Sequence, residues 1–145
     1  MRRIAKGLAL TALAYLTTVA LADDADAIDY RKHVMKTLGE QLAAIDMIVA
    51  KKAPPDAFAV HMKTIAVTAT QAKLAFENKV AGGNSKPEVW SNWADFAKRL
   101  DAMITASNEL AKGATAANWA TVGPKINAAL DCEGCHKVYM VPPKS

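Results

Sequence analysis

Four stretches of this chain carry apolar residues at spacings of three, four and seven, and none alternates apolar with polar residues long enough to make a half-buried strand. That period puts each set on one face of a helix, so the chain has four helical stripes to bury against one another. The first face is Ile28, Met35, Leu38, Leu42, Ile45 and Val49; Lys51 and Lys52 suit its C-terminus, and Pro54-Pro55 ends it. The second, over 56–80, presents Phe58, Met62, Ile65, Ala69, Ala72 and Phe76. Gly82-Gly83-Asn84-Ser85-Lys86-Pro87 reads as a loop. The third helix starts at Glu88 and faces inward through Trp93, Phe96, Ala97, Leu100, Met103, Ile104 and Leu110, with Gly113 placed to cap it. The fourth contains Ile126, Ala129 and Leu130, with Pro124 in its first turn; the pattern leaves open whether 115–122 adds an earlier one. Four helices on short connections predict an all-α, antiparallel four-helix bundle.

Residues 1–22 stand apart from that pattern. Arg2, Arg3 and Lys6 make a positive start, Gly7 to Val19 is almost wholly apolar, and Ala20-Leu21-Ala22 is a small-x-small cleavage site before Asp23. We expect a signal peptide over 1–22 and a single domain over 23–145, with no stable membrane association after cleavage, because the apolar run is too short to favour a spanning helix. Without those three cations, 15 of the 18 Lys/Arg face 14 Asp/Glu, a formal +1 in place of +4. A near-neutral domain gives no electrostatic case for nucleic acid.

The only two cysteines of the chain lie in one pentapeptide, Cys132-Glu133-Gly134-Cys135-His136. On a helix, residues 132, 135 and 136 share one face and Glu133 and Gly134 point away. Cys-x-x-Cys-His has a direct chemical reading: two thiols form thioethers to the two vinyl groups of a haem, and the adjacent imidazole binds the iron. A disulfide would close so small a loop that it constrains the unfolded chain little, and it would not use His136. A thioredoxin-like redox pair usually opens a helix in a fold that contains strands. Zinc would lack a fourth protein ligand nearby. The pentapeptide therefore predicts one covalently bound haem c, near the C-terminal helix.

What stands opposite His136 decides what such an iron does. His33 and Met35 are about 200° apart around a helix and cannot both face inward. Met35 lies on the apolar stripe, His33 falls on the polar side with Asp29, Thr37 and Glu40, and His61 sits beside the second stripe and remains a candidate. A methionine on a core stripe is usually gap-filling. Two neighbours weigh against that: Arg31, a charge on an apolar stripe, suited to a haem propionate or else snorkelling at the helix start, and Gly39, which costs about 1 kcal/mol inside a helix. The residues alone leave Met35 evenly balanced between iron ligand and core filler.

The segments "YRKHVMKTLGEQLAAI" (30–45), "WSNWADF" (90–96) and "CEGCHKVY" (132–139) resemble the cytochrome c-prime and cytochrome c-556 family of exported four-helix-bundle haem proteins, across nearly all of the mature chain. The resemblance is closer to the c-556 branch. There the first-helix methionine after the Tyr-Arg pair is the sixth ligand, which implies that role for Met35, and an arginine near a propionate, which implies it for Arg31. In the c-prime branch a residue that cannot ligate fills that place, and the iron is open to nitric oxide or carbon monoxide. The family often has an arginine after the aromatic residue that follows the motif; here Tyr139 is followed by Met140, four residues beyond His136 and so badly placed as a ligand.

The expected function is a periplasmic one-electron carrier, not an enzyme, with iron held by His136 and Met35, serving redox protein partners as a monomer or homodimer. The alternative is a five-coordinate protein that binds nitric oxide or carbon monoxide. A peroxidase would need polar acid–base groups over the iron; the first-helix stripe offers none, and His61 is the one candidate for that role.

Overall fold

The computed structural model describes residues 23–113 and 118–142, with backbone only for Trp119 and Ala120. The expected signal segment lies outside them, as does the stretch 114–117 after Gly113. Helix α1 is Asp24–Val49. Asp23 caps it by accepting the Asp26 N–H at 2.8 Å, and Asp24 and Asp26 set negative charge against the helix N-terminus. At its other end Lys51 turns to φ +59°, and the Lys51 and Lys52 N–H groups return to the carbonyls of Ile48 and Met47. That double return closes the helix as a Schellman motif, with lysine where glycine is usual. A short 3₁₀ turn, Pro55–Ala57, leads into α2, Phe58–Glu77.

Beyond the loop come α3, a single turn at Glu88–Ser91, and α4, Trp93–Gly113. The expected third helix is thus broken at Asn92 (φ −122°, ψ 46°), and the break lets Trp90 swing its indole Nε1 onto the Phe76 carbonyl at 2.9 Å. The fourth rod is also two pieces. Helix α5, Trp119–Leu130, ends at Asp131 in the left-handed region (φ 44°, ψ 37°), and α6, Cys132–Tyr139, begins at once. Pro124 is therefore not at the helix start but inside α5; its missing N–H forfeits only a bond to the Ala120 carbonyl in the first turn.

Helix α2 is the hub, packing most extensively on α4 and α1, while α4 also holds α5. One apolar cluster joins Ile45, Ile48, Phe58, Met62, Ile65, Ala69, Met103, Ile126 and Leu130. A second, toward the other end, joins Val34, Ala72, Phe76, Val89, Phe96, Leu100 and Tyr139. The architecture is the expected all-α four-helix bundle. Among the described residues there is no strand, and no helix is long and apolar enough to cross a membrane.

Candidate functional site

A cavity of about 440 Å³ opens where the two clusters meet. Its volume lies within the range of about 300–1,000 Å³ common for cofactor and small-molecule sites. One wall is α6, which presents Cys132, Cys135 and His136 together, as the spacing predicts. Glu133 instead points to solvent and pairs with Lys137 at 2.7 Å. His136 is exposed, and both thiols are free and half-buried. Burial pushes the Cys132 thiol up and raises that of Cys135 to about 11, so both are protonated at neutral pH. Among the described residues no group of three or more His, Cys, Asp or Glu converges as a metal site.

Helix α1 supplies another wall: Ile28, Arg31, Lys32, Met35, Leu38, Gly39 and Leu42. Met35 is half-buried there, and the structure brings it into one cavity with His136. Gly39 also faces the cavity, and a Cβ added to it would meet nothing within 4 Å. No neighbouring group in the structure therefore explains that glycine. His33 is exposed on the outer face, as its position around the helix predicts. His61 does not line the cavity: its Nδ1 lies 2.7 Å from Gln41 Oε1, across the α1–α2 seam. Met140 lines the cavity rim.

Arg31 is 3% exposed, a guanidinium almost sealed inside the protein. Its Nη2 donates to the Val80 carbonyl at 2.7 Å, and its guanidinium lies 5.0 Å from the Phe76 ring and 5.3 Å from the Trp90 ring. Nε and Nη1 have no partner, and burial lowers the pKa of the group. Leaving a buried donor unsatisfied costs about 1–3 kcal/mol, more when charged. An anionic group bound in the cavity would relieve that cost.

The sequence alone did not assign the 82–87 loop to the site. Gly82, Gly83, Asn84 and Ser85 line the cavity, with φ of +124° at Gly82 and +61° at Gly83. The φ of +124° would strain any side chain at Gly82, and a Cβ there would also press on Ile28 Cδ1 at 2.8 Å, so glycine suits the close approach of the loop to α1. Two backbone bonds, Lys86 N–H to the Tyr139 carbonyl (3.0 Å) and Val141 N–H to the Asn84 carbonyl (2.8 Å), fasten it to the chain after His136. The paired glycines were the available signal. Tyr139, also a wall residue, donates its hydroxyl to Asp95 at 2.6 Å.

The family model for cytochrome c' matches residues 26–140, a span that contains every wall of this cavity. The chain belongs to the cytochrome c' family. A cytochrome c' of Rhodospirillum rubrum is 30% identical over 144 residues, covering 96% of this chain and 98% of the relative. One from Pararhodospirillum photometricum is 33% identical over 118 residues, covering 77% and 94%. Among solved structures, a nitric oxide complex of a cytochrome c prime variant from Alcaligenes xylosoxidans superposes with a TM-score of 0.70 at 21% identity, covering 84% of this chain and 99% of that one. A carbon-monoxide-bound variant of the same protein gives 0.69 at 21%, covering 83% and 98%. The matches carry the cytochrome c' name and do not separate a c-556 branch.

Membership of the cytochrome c' family implies haem c, and the residues present fit it. The cavity pairs a mostly apolar lining with two thiols and an imidazole on one wall, an empty space before Gly39, and a buried cation with two unused donors.

Proposed function

We propose that this cytochrome c' holds one haem c, bound through thioethers to Cys132 and Cys135 with His136 on the iron, and that it reversibly binds nitric oxide or carbon monoxide at the opposite face. Haem c supplies an iron that exchanges one electron and takes diatomic ligands. Arg31 holds a propionate with the Nε and Nη1 donors that the protein leaves free. Phe76 and Trp90 flank the guanidinium, and because Nε and Nη1 are sealed, a carboxylate reaches them only as the side chains around them give way.

The observation that carries this reading is the chemistry of the α1 wall around the middle of the cavity. Met35, Leu38, Gly39 and Leu42 present no acid, base or hydrogen-bond donor to a ligand on the iron. Such a wall admits a small apolar gas and supplies none of the proton transfer that a peroxidase needs. The gas complexes of the Alcaligenes xylosoxidans variants support the same assignment. Residues 1–22 and attachment at Cys-x-x-Cys-His are consistent with export to a bacterial periplasm, where a redox protein would keep the iron reduced.

Met35 favours a second reading, the His136/Met35 electron carrier, because its thioether is the one uncharged iron-binding side chain that α1 places in the cavity. Carbon monoxide titration of the ferrous protein beside Met35→Leu separates the two. Equal, tight binding by both proteins supports the gas-binding reading. Binding that appears only in Met35→Leu, together with loss of a sulfur-to-iron charge-transfer band, makes the electron carrier correct.

A further inference from the structure

Helix α6 is eight residues long, and Tyr139 is its only buried side chain. A helix of about two turns has no independent stability and takes its direction from what it touches. Both of its ends lead to α4. At the start, the Asp131 carboxylate accepts from Arg99 Nη1 at 3.0 Å. At the finish, the Tyr139 hydroxyl donates to Asp95 Oδ2 at 2.6 Å, and Asp95 in turn accepts from Arg99 Nε at 2.7 Å. One guanidinium therefore closes a loop around the whole of α6, and it also lies 5.9 Å from the Tyr139 ring.

Asp131 is locked as well as bonded. Its left-handed backbone folds the carboxylate over Gly134, where any Cβ would collide with it. Arg99 itself is outside the main cavity and lines a separate void of about 70 Å³ beside Asp131 and Cys135. These charges are roughly one-third to one-half exposed, where ion pairs add little stability. What the arrangement contributes is geometry: a planar fork can serve two carboxylates in fixed directions, as a lysine ammonium cannot.

We infer that Arg99 is a positioning residue for the iron ligand: by bonding Asp95 and Asp131 it fixes both ends of α6, and with them the direction in which His136 is presented to the cavity. The inference rests on the assignment of His136 to the iron and not on which ligand occupies the opposite face. Groups that orient a metal-bound histidine are commonly worth about 10- to 100-fold in affinity or activity when lost.

The test uses the haem-loaded protein and reads the midpoint potential and the iron–histidine stretching band of the ferrous form. Arg99→Lys keeps the charge and removes the fork. It is expected to shift or broaden the band and to change the ferric-to-ferrous ratio at a fixed potential by about tenfold, which is 59 mV for one electron. Tyr139→Phe opens the other end of the loop with no change of charge and is expected to act the same way; it serves alone if Arg99→Lys fails to fold. Lys73→Met breaks the ion pair to Asp101 elsewhere on α4 and is expected to move neither signal. Unchanged band and potential in Arg99→Lys and Tyr139→Phe, even with a lowered melting temperature, would overturn the inference. So would a shift seen in Arg99→Met but absent from Arg99→Lys, which would make the effect one of charge alone. Absence of any iron–imidazole signature from the unaltered protein would instead sink the assignment of His136, a failure visible before any variant is compared.

Discussion

Along α2, Phe58, Met62, Ile65, Ala69, Ala72 and Phe76 are each 5% exposed or less, whereas along α1 the stripe of Ile28, Met35, Leu38 and Leu42 stays half-buried and of its six residues only Ile45 is sealed. The two stripes have similar composition and nearly the same period, so hydrophobicity does not distinguish them. The difference lies in what they face. Helix α2 is packed on both sides by α1 and α4, while the N-terminal two-thirds of the α1 stripe looks into the cavity. A helical period thus reports which face turns inward, and is silent on whether protein or cofactor fills the space there.

The largest effect expected from this contrast belongs to α2. Phe58→Ala should cost about 3–5 kcal/mol, because a sealed ring leaves a cavity that neighbours only partly refill. Urea unfolding would measure it, and the haem absorption spectrum should stay unchanged, since Phe58 lies in the cluster with Ile45 and Met62 and not on the cavity wall. A changed spectrum would break the separation between the two stripes.

A smaller effect, with opposite signs in two forms of the protein, is expected at Gly39. With open space before it, Gly39→Ala should stabilise a haem-free Cys132→Ala/Cys135→Ala protein by about 1 kcal/mol, the usual gain of alanine over glycine inside a helix. In the haem-loaded protein the added methyl group would press on the cofactor and should lower the unfolding midpoint. Stabilisation of both forms to the same extent would show that nothing bound approaches Gly39.

The same contrast explains how far the sequence could be read. The α2 stripe was legible residue by residue, because every member is sealed, Ile65 and Phe76 included although they also reach the cavity wall. Val34 and Ile48, sealed in the structure, were missed on α1, since the visible stripe there points at the cavity and the packed side is offset from it. Local spacing placed Cys132, Cys135 and His136 on one face, and the positions of Met35 and Arg31 on the α1 wall followed from the period. Illegible were the contacts made across the fold. Nothing local announces that Asn92 breaks the third helix or that Asp131 divides the fourth. Nothing local shows that Phe76 and Trp90 flank Arg31, or that Asp95 meets Tyr139 across 44 residues.

The weakest effect concerns the tie between α4 and α6, and pH should reveal it. Hydrogen bonds from Tyr139 and then Arg99 hold the Asp95 carboxyl below its ordinary value. A carboxyl depressed in the folded state stabilises the fold above its unfolded pKa, about 3.9, and that contribution fades as pH falls through the lower folded value. Tyr139 runs the other way. Burial and then its bond to Asp95 raise it to about 12. Its contribution is complete below the unfolded value of about 10 and fades as pH climbs toward 12. Urea midpoints taken across pH should therefore fall less steeply in acid for Asp95→Asn than for the unaltered protein, and less steeply in alkali for Tyr139→Phe. Parallel acid and alkaline limbs in all three proteins would mean that the Tyr139–Asp95 bond is not kept in solution. In that event the end of α6 would be held by its backbone bond to the 82–87 loop, and the cavity would depend on the loop rather than on α4 to keep its shape.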